Sequence, residues 1–345
     1  MNKKEKIETT QVLYEALNQV QPILGPDWKI TLRPNKKVYG DDQVVLLYKG
    51  DEVYRADRIV QTHFRDEHIA RNYNQIKNNK TIIIAEYILP KTKTLLRQQE
   101  IDYLDINGNC HIKEAKKKEK VFFFIEGQKN KEYKKEKYSR PFAKAGLKVI
   151  YEFLLDKNFI NHTYRDIAGK AGVALGNINH IVNGLLEEGF ILRKNKNELT
   201  LIKTDELLDK WTAAYGERLK PTLEIGTFRF MNPNDFDHWH TMPFDPEKTC
   251  WGGEPAAYFL TKYLNPQVLT MYTTENKVDL IKKYKLVPDP YGNVKIYRKF
   301  WGEKEKTKDP VVHPLLVYTD LILTNDERCL ETANMIYEKH LKENI

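Results

Sequence analysis

Four short polar side chains are spaced so that they could contact the edges of DNA bases. Asn177, Asn179, His180 and Asn183 lie in a stretch whose apolar residues recur at helical spacing, and we expect them off the apolar stripe. From a helix in the major groove, amide and imidazole groups can form hydrogen bonds with base edges. These residues are therefore our candidates for reading a DNA sequence.

Four cations beside this stretch could contact phosphates. Arg140 and Lys144 precede the helices, while Lys194 and Lys196 lie in a lysine–asparagine turn after them. Phosphate contacts position a protein on DNA without reading its sequence. The window from Lys113 to Lys144 holds eleven Lys and one Arg against five Glu, a local charge of +7 in a chain of net charge +8. Such a window attracts nucleic acid non-specifically, and a solvated hairpin and linker is the alternative interpretation.

The elements that must position these residues have the order of a winged helix. Thr163 is a suitable N-cap for a second helix, and Gly172 permits the left-handed backbone that turns the chain into a third. The predicted elements are helices at 145–155 and 164–170, a third helix that buries Ile178, Ile181, Val182, Leu185 and Leu186, and wing strands at 190–193 and 198–202. A winged helix that makes only protein contacts is the alternative, because fold alone does not fix function.

The region before the basic window predicts an α/β domain, which raises the possibility of a nuclease. The predicted elements are helices at 6–24 and 91–100 and strands at 28–32, 43–48, 53–59, 81–88, 101–104, 110–112 and 121–125. Restriction-type nucleases hold magnesium with an acidic residue and an acidic-x-Lys pair on neighbouring strands. The candidates are Glu86, Asp102, Asp105, Glu114 and Lys116. The triplet that begins at Glu86 lacks the lysine, and the pair Glu114 and Lys116 lies in a lysine-rich hairpin where a chance match is common. We therefore assign no catalytic residue, metal ligand or cofactor, and keep a magnesium-dependent nuclease as the alternative.

The last third of the chain predicts an α+β region. The predicted elements are strands at 222–230, 268–272 and 294–300 and helices at 251–263, 276–284, 314–323 and 327–341. His238 and His240 have no partner at a fixed spacing, so we expect packing rather than a metal site. The Gly252–Glu254 segment lacks the Lys-Ser/Thr of a P-loop, so a tight turn is favoured over a phosphate cradle.

Composition restricts the class of protein. The chain has 345 residues, enough for two or three domains. No apolar run in the sequence approaches the ~20 residues that a membrane span requires, and the charged first ten residues are unlike a signal peptide. Cys110, Cys250 and Cys329 are far apart, which favours a reducing cytoplasm over a disulfide framework.

Several short motifs together resemble the AbiEi-like antitoxins, a family of bacterial transcriptional regulators from type IV toxin–antitoxin systems. The motifs are Ile101–Asp105 with Asn107–Asn109, Ala145–Val149, Tyr164–Ala168 with Ala171–Val173, Trp251–Glu254 with Ala256–Ala257, and Pro314–Tyr318 with Asp320–Leu321. The resemblance covers roughly residues 82 to 341, and the order and spacing of the motifs make it fairly specific.

The resemblance implies a repressor of its own operon. Its winged helix would bind inverted repeats in double-stranded promoter DNA, its partner gene would encode a nucleotidyltransferase-like toxin, and its large C-terminal region would act in antitoxicity. A pure protein-interaction antitoxin that has lost DNA binding is the second alternative.

The residues and the resemblance together predict an α+β multidomain protein in the cytoplasm. We expect an α/β domain at 1–128, for which a degenerate restriction-endonuclease-like fold is considered, and a basic linker at 129–141. A winged helix-turn-helix with its trailing helix is predicted at 142–215, and a C-terminal α+β domain of antitoxin type at 216–345.

Overall fold

A computed structural model describes most of the chain. The described residues are 3–35, 42–64, 66–115, 120–128, 139–195, 198–302, 310–324 and 326–345, without the side chains of 3–8, 62–63 and 66–67. They form two compact units, unit 1 (Met1–Lys135) and unit 2 (Glu136–Ile345). Both units mix helices with sheets, so the prediction of an α+β chain is confirmed at this level.

Unit 1 is built on a seven-stranded sheet whose strand order follows the chain order. Its strands are β1 (Trp28–Pro34), β2 (Asp42–Tyr48), β3 (Asp51–Phe64), β4 (Thr81–Ile88), β5 (Asp102–Asp105), β6 (Cys110–Glu114) and β7 (Val121–Ile125). Strands β3, β4 and β5 are parallel, and the other neighbours are antiparallel. Parallel neighbours need a crossover connection, which is provided here by helices α2 (Asp66–Arg71), α3 (Tyr73–Asn78) and α4 (Pro90–Gln98).

The core of unit 1 lies between its first helix and one face of this sheet. Helix α1 (Lys3–Leu24) buries Val12, Ala16 and Val20, which share one face of the helix. Leu46 of β2 and Ile84 of β4 belong to the same apolar cluster. No element was predicted at residues 60–80, and the end of β3 together with α2 and α3 forms most of this stretch.

Unit 2 begins with helices followed by a hairpin, which we call the helix–hairpin module (140–201). It contains a 3-10 helix (Arg140–Phe142), α5 (Lys144–Leu155), a second 3-10 helix (Lys157–Asn161), α6 (Tyr164–Ala171), α7 (Leu175–Glu187), and the antiparallel strands β8 (Ile191–Asn195) and β9 (Glu198–Leu201). Thr163 caps α6 by accepting a hydrogen bond from the amide of Asp166 at 3.2 Å. Gly172 ends α6 with φ of 61°, in the left-handed region that favours glycine.

The remainder of unit 2 contains a five-stranded sheet in the order β11-β12-β14-β10-β13. Its strands are β10 (Glu224–Phe230), β11 (Thr249–Gly252), β12 (Leu269–Thr273), β13 (Leu286–Pro288) and β14 (Val294–Arg298). Its helices are α8 (Thr204–Ala214), α9 (Lys220–Leu223), α10 (Gly253–Thr261), α11 (Lys277–Tyr284), α12 (Pro314–Ile322) and α13 (Glu327–Ile336). The short strands β11 and β13 were not predicted from the sequence, whereas the other strands and the long helices were.

Helix α8 joins the helix–hairpin module to this sheet. The indole of Trp211 donates a 2.7 Å hydrogen bond to the carbonyl oxygen of Leu147 in α5. Tyr151 of α5 stacks on Trp211 and meets Phe300, which follows β14, at 5.1 Å between ring centroids. A π-helical turn, Tyr215–Leu219, links α8 to α9, so the helical run passes through the predicted domain boundary at 215–216. The division of unit 2 into two domains stays a prediction.

Two further features concern membranes and redox state. None of the described helices combines the length and the apolar run that a membrane span needs. All three cysteines are free and buried.

Candidate nucleic-acid interface

The four predicted base-reading residues lie on the solvent-exposed side of α7. Asn177, Asn179, His180 and Asn183 are all exposed. Asn183 donates a 3.3 Å hydrogen bond from Nδ2 to Oδ1 of Asn179, one helical turn earlier. The side chains therefore form a surface of hydrogen-bond donors and acceptors on a single helix.

The opposite side of α7 fixes the helix in place. Ile178, Ile181, Val182 and Leu185 are buried, and α7 packs against α5 and α6. Gly184 permits a close approach, because a Cβ atom there would lie 2.3 Å from Cγ of Pro141. The 3-10 helix that carries Arg140 therefore lies directly against α7.

The predicted phosphate-contacting cations are exposed where the structure describes them. Arg140 and Lys144 are exposed at the start of the helix–hairpin module. Lys194 on β8 forms an exposed 3.2 Å ion pair with Glu198 of the same hairpin. Exposed pairs of this kind contribute little free energy, so phosphate could replace the glutamate. Lys196, and residues 129–138 of the predicted linker, lie outside the described residues.

Two exposed arginines of the helix–hairpin module were not among the predicted phosphate-contacting cations. Arg165 lies on α6, and Arg193 lies on β8 next to Lys194. Helical spacing could have identified Arg165, because it falls off the stripe formed by the buried residues Ile167, Ala168 and Ala171. Both arginines lie on elements that neighbour α7 in the chain, and they add exposed positive charge to the module.

In unit 1, two of the carboxylates considered for a nuclease, Asp102 and Asp105, accept hydrogen bonds from other groups of the protein. Asp102 is buried and accepts hydrogen bonds from the Tyr54 hydroxyl at 2.9 Å and the Lys113 amide at 3.0 Å. Lys80 forms a 2.7 Å ion pair with the same carboxylate. Burial raises the pKa of Asp102, and the charge of Lys80 opposes that rise. Both oxygens of Asp102 therefore have partners within the protein, and the residue has a structural role in the sheet.

Asp105 is held in the same way. Lys93 contacts Oδ2 at 2.8 Å, while the amides of Asn107 and Asn109 each donate to Oδ1 at 3.0 Å. This is the turn that the spacing of Asp105, Asn107 and Gly108 indicates. Among the described residues, no group of three His, Cys, Asp or Glu side chains is placed to hold a metal ion.

The other nuclease candidates are Glu86, Glu114 and Lys116. Glu86 and Glu114 are half-buried, and Lys116 lies outside the described residues.

In unit 2, the Gly252–Glu254 segment forms the tight turn that the sequence favoured. Gly253 adopts φ of 47°, and its amide donates a 3.2 Å hydrogen bond to Asp320. A Cβ atom at Gly252 would lie 2.5 Å from the ring of Tyr272. The start of α10 is therefore closed by a ring and a carboxylate of the protein itself.

Asp320 lies at the centre of a buried polar network, which we call the Asp320 network. It accepts from the Tyr272 hydroxyl at 2.9 Å, from Lys220 at 2.7 Å and from the Gly253 amide. The Tyr215 hydroxyl lies 2.8 Å from that of Tyr272. Burial and the nearby Asp320 charge raise the pKa of both tyrosines, so they stay protonated and can donate. The network therefore joins α9, α10, α12, β12 and the π-helical turn.

The histidines at 238 and 240 flank a packing residue. His238 and His240 are exposed, whereas Trp239 between them is buried. The Trp239 ring meets Trp251 at 5.4 Å and Tyr258 at 5.6 Å in edge-on contacts. The packing of the Trp239 ring therefore holds this segment against β11 and α10.

The part of the chain from residue 200 to 342 matches the model of a family described as transcriptional regulator, AbiEi antitoxin, type IV TA system. The predicted resemblance is confirmed over this range, which runs from β9 to three residues before the end of unit 2. The match covers less than half of the 345 residues and includes neither unit 1 nor α7. No curated protein and no solved structure matches the chain.

Proposed function

We propose that the chain is a DNA-binding transcriptional regulator that represses its own promoter and serves as the antitoxin of a type IV toxin–antitoxin pair. In this proposal the helix–hairpin module is a winged helix, with α7 in the major groove and β8–β9 as the wing. The observation that carries the proposal is the exposed polar side of α7, held by a fully packed apolar side. The family match over 200–342 supports the antitoxin role and a cognate toxin.

The roles of the side chains follow from their chemistry. Asn177, Asn179, His180 and Asn183 would read base edges, because amides and imidazoles can donate and accept there. Arg140, Lys144, Arg165, Arg193, Lys194 and Lys196 would contact phosphates and fix the register on the duplex. The inverted repeats of the promoter would be read by two copies of the module, and the site of action would be the cytoplasm.

A titration of single-alanine variants against operator and scrambled duplexes tests this assignment. Each lost base contact on α7 should reduce the discrimination between the two duplexes by ~1–3 kcal/mol. Lys194→Ala should instead weaken binding to both duplexes about equally, because phosphates carry no sequence. Full operator preference in folded α7 variants would show that α7 is not the reading helix.

A protein-interaction antitoxin is the second candidate, and exposed apolar side chains of the same module favour it. Leu175 at the start of α7 is 49% exposed, and Leu192 on β8 is 54% exposed. If the module contacts a protein instead, Leu175→Ser and Leu192→Ser should abolish toxin neutralisation, and the α7 alanine variants should have no effect on the promoter. Under our main proposal, the α7 variants release the promoter yet still neutralise the toxin in cells.

A further inference from the structure

Unit 1 exposes two aromatic rings on one face of its strand β7. Strand β7 is the last strand in the sheet order, and its residues alternate between two faces. Phe123 and Ile125 pack against the core beneath α1. Phe122 and Phe124 face the other side, where they are 65% and 49% exposed.

Two strands and one helix contribute to this surface. His111 on β6 pairs with Phe124 across the ladder and meets both phenylalanine rings edge-on, at 5.8 Å and 6.3 Å. Lys113 pairs with Phe122, and the guanidinium of Arg97 from α4 lies 5.3 Å from the centre of the Phe124 ring. We call these five residues the β7 patch.

The charges around the rings can become available to a ligand. Arg97 pairs with Glu126 and Lys113 pairs with Glu100, and both pairs are partly or largely exposed. Such pairs are weak, so an anionic ligand can displace the glutamates. Lys120, the residue before β7, is a further exposed cation. Burial lowers the pKa of His111, so this residue contributes an uncharged ring.

The size of the patch argues against a second copy of the chain as its occupant. An aromatic side chain buries roughly 150–250 Å² when it is fully covered, so the two partly exposed rings supply about 170–290 Å². A stable protein interface buries about 1,200–2,000 Å² in total. Lys120 and Glu126, which flank the strand, are charged, and they limit how far an apolar contact could extend beyond the rings.

We propose that the β7 patch binds single-stranded nucleic acid, with Phe122 and Phe124 stacking on unpaired bases and Arg97 and Lys113 contacting phosphates. Exposed rings on a sheet surface that is bordered by cations suit this ligand, because every base has a face for stacking and every nucleotide carries a negative charge. Paired bases in a duplex do not offer those faces. The site is therefore separate from the duplex-reading role of α7.

The test is fluorescence anisotropy on the full chain with two labelled probes. One is an oligothymidylate of about 12 nucleotides, within the range of known single-strand sites, and the other is an oligouridylate of the same length. For Phe122→Ala or Phe124→Ala, we expect affinity for the bound probe to fall between about 5-fold and 100-fold, as loss of a stacked base predicts. Affinity for a random duplex should remain unchanged.

Matched variants separate stacking from general damage. Phe122→Tyr and Phe124→Tyr keep the rings and should keep the affinity. Tyr14→Ala removes another exposed ring of unit 1, 54% exposed on α1, and should have no effect. Lys113→Gln should weaken binding and lower the salt dependence by about one phosphate contact.

Three results would overturn the proposal. The wild-type chain could bind neither probe, or the two alanine variants could bind as tightly as the wild type while remaining folded by circular dichroism. Alternatively, the wild type could be a dimer that Phe122→Ala and Phe124→Ala convert to a monomer, and the patch would then belong to a second copy. Loss of operator binding by the α7 variants tests the other proposal and leaves this one untouched.

Discussion

The exposed side of α7 and the Asp320 network are two polar regions of the same unit with opposite environments. On α7, Asn179 and Asn183 bond to each other and are otherwise open to solvent. In the network, the buried Asp320 carboxylate accepts from a lysine, a tyrosine and a backbone amide. A polar side chain can contact a partner molecule only where the protein leaves its hydrogen bonds open, so burial separates binding residues from structural ones.

The motifs that carry the family resemblance fall mostly on the buried side of this comparison. Asp102, Gly146 and Ile167 are buried, and so are all four residues of Trp251–Glu254. The α7 residues that we expect to read DNA are in none of these motifs. The motifs therefore consist mostly of buried packing residues, with exposed exceptions such as Arg165, and the proposed base-reading residues lie outside them.

The largest effect on stability is expected when the buried ion pair between Lys220 and Asp320 is broken. Lys220 is 18% exposed and Asp320 is 2% exposed, so Lys220→Ala leaves a buried carboxylate without its cation. We expect the free energy of unfolding to fall by ~3 kcal/mol, measured by denaturant titration. The control is Lys248→Ala, which breaks the exposed ion pair with Asp245. This variant should change the free energy of unfolding by less than ~0.5 kcal/mol. Equal effects of the two variants would contradict the comparison.

Alanine substitutions at two glycines compare a tightly packed position with an open one. In Gly252→Ala, the new methyl group collides with the Tyr272 ring, and overpacking of this kind costs ~1–3 kcal/mol. Gly169→Ala on the exposed side of α6 meets open space, and it should stabilise the helix by ~0.5–1 kcal/mol. Thermal unfolding of both variants checks the sign, and destabilisation by Gly169→Ala would contradict this account.

The same substitution at two asparagines compares a structural amide with an exposed one. Asn109 is buried and bonded to Asp105 and to the Gln128 backbone, so Asn109→Ala should cost ~1–3 kcal/mol of stability. Asn183→Ala should change stability by less than ~0.5 kcal/mol, because its side chain is exposed. Denaturant titration of both variants is the measurement. A large loss for Asn183→Ala would mean that α7 uses this amide for its own fold.

The smallest effect on stability is expected at the hairpin. Lys194→Ala removes an exposed pair with Glu198 and should leave the unfolding free energy within ~0.5 kcal/mol of the wild type. Its effect should appear in DNA binding, where the slope of log affinity against log salt decreases by ~0.9 for one lost phosphate contact. An unchanged slope would remove Lys194 from the phosphate-contacting set.

Local patterns in the sequence determined most of the elements. Helical spacing predicted α1, α5 and α7, and the β-branched run of residues 81–88 predicted β4 at its observed bounds. The Thr163 cap and the left-handed Gly172 were predicted from residue type, because both depend on interactions within a few residues. The exposure of Asn177, Asn179, His180 and Asn183 followed from the same helical periodicity.

Only the tertiary structure decided which polar residues find hydrogen-bond partners inside the protein and which aromatic residues are buried. Asp320 meets Lys220, Tyr272 and Gly253 from three other elements, and no spacing in the chain encodes that meeting. Strands β11 and β13 are too short to carry a pattern of their own and exist because longer strands pair with them. Phe122 and Phe124 belong to an apolar run typical of a core strand, yet both side chains are exposed on the last strand of the sheet order. Sequence patterns report local geometry, whereas burial depends on which distant elements come to lie against a given face.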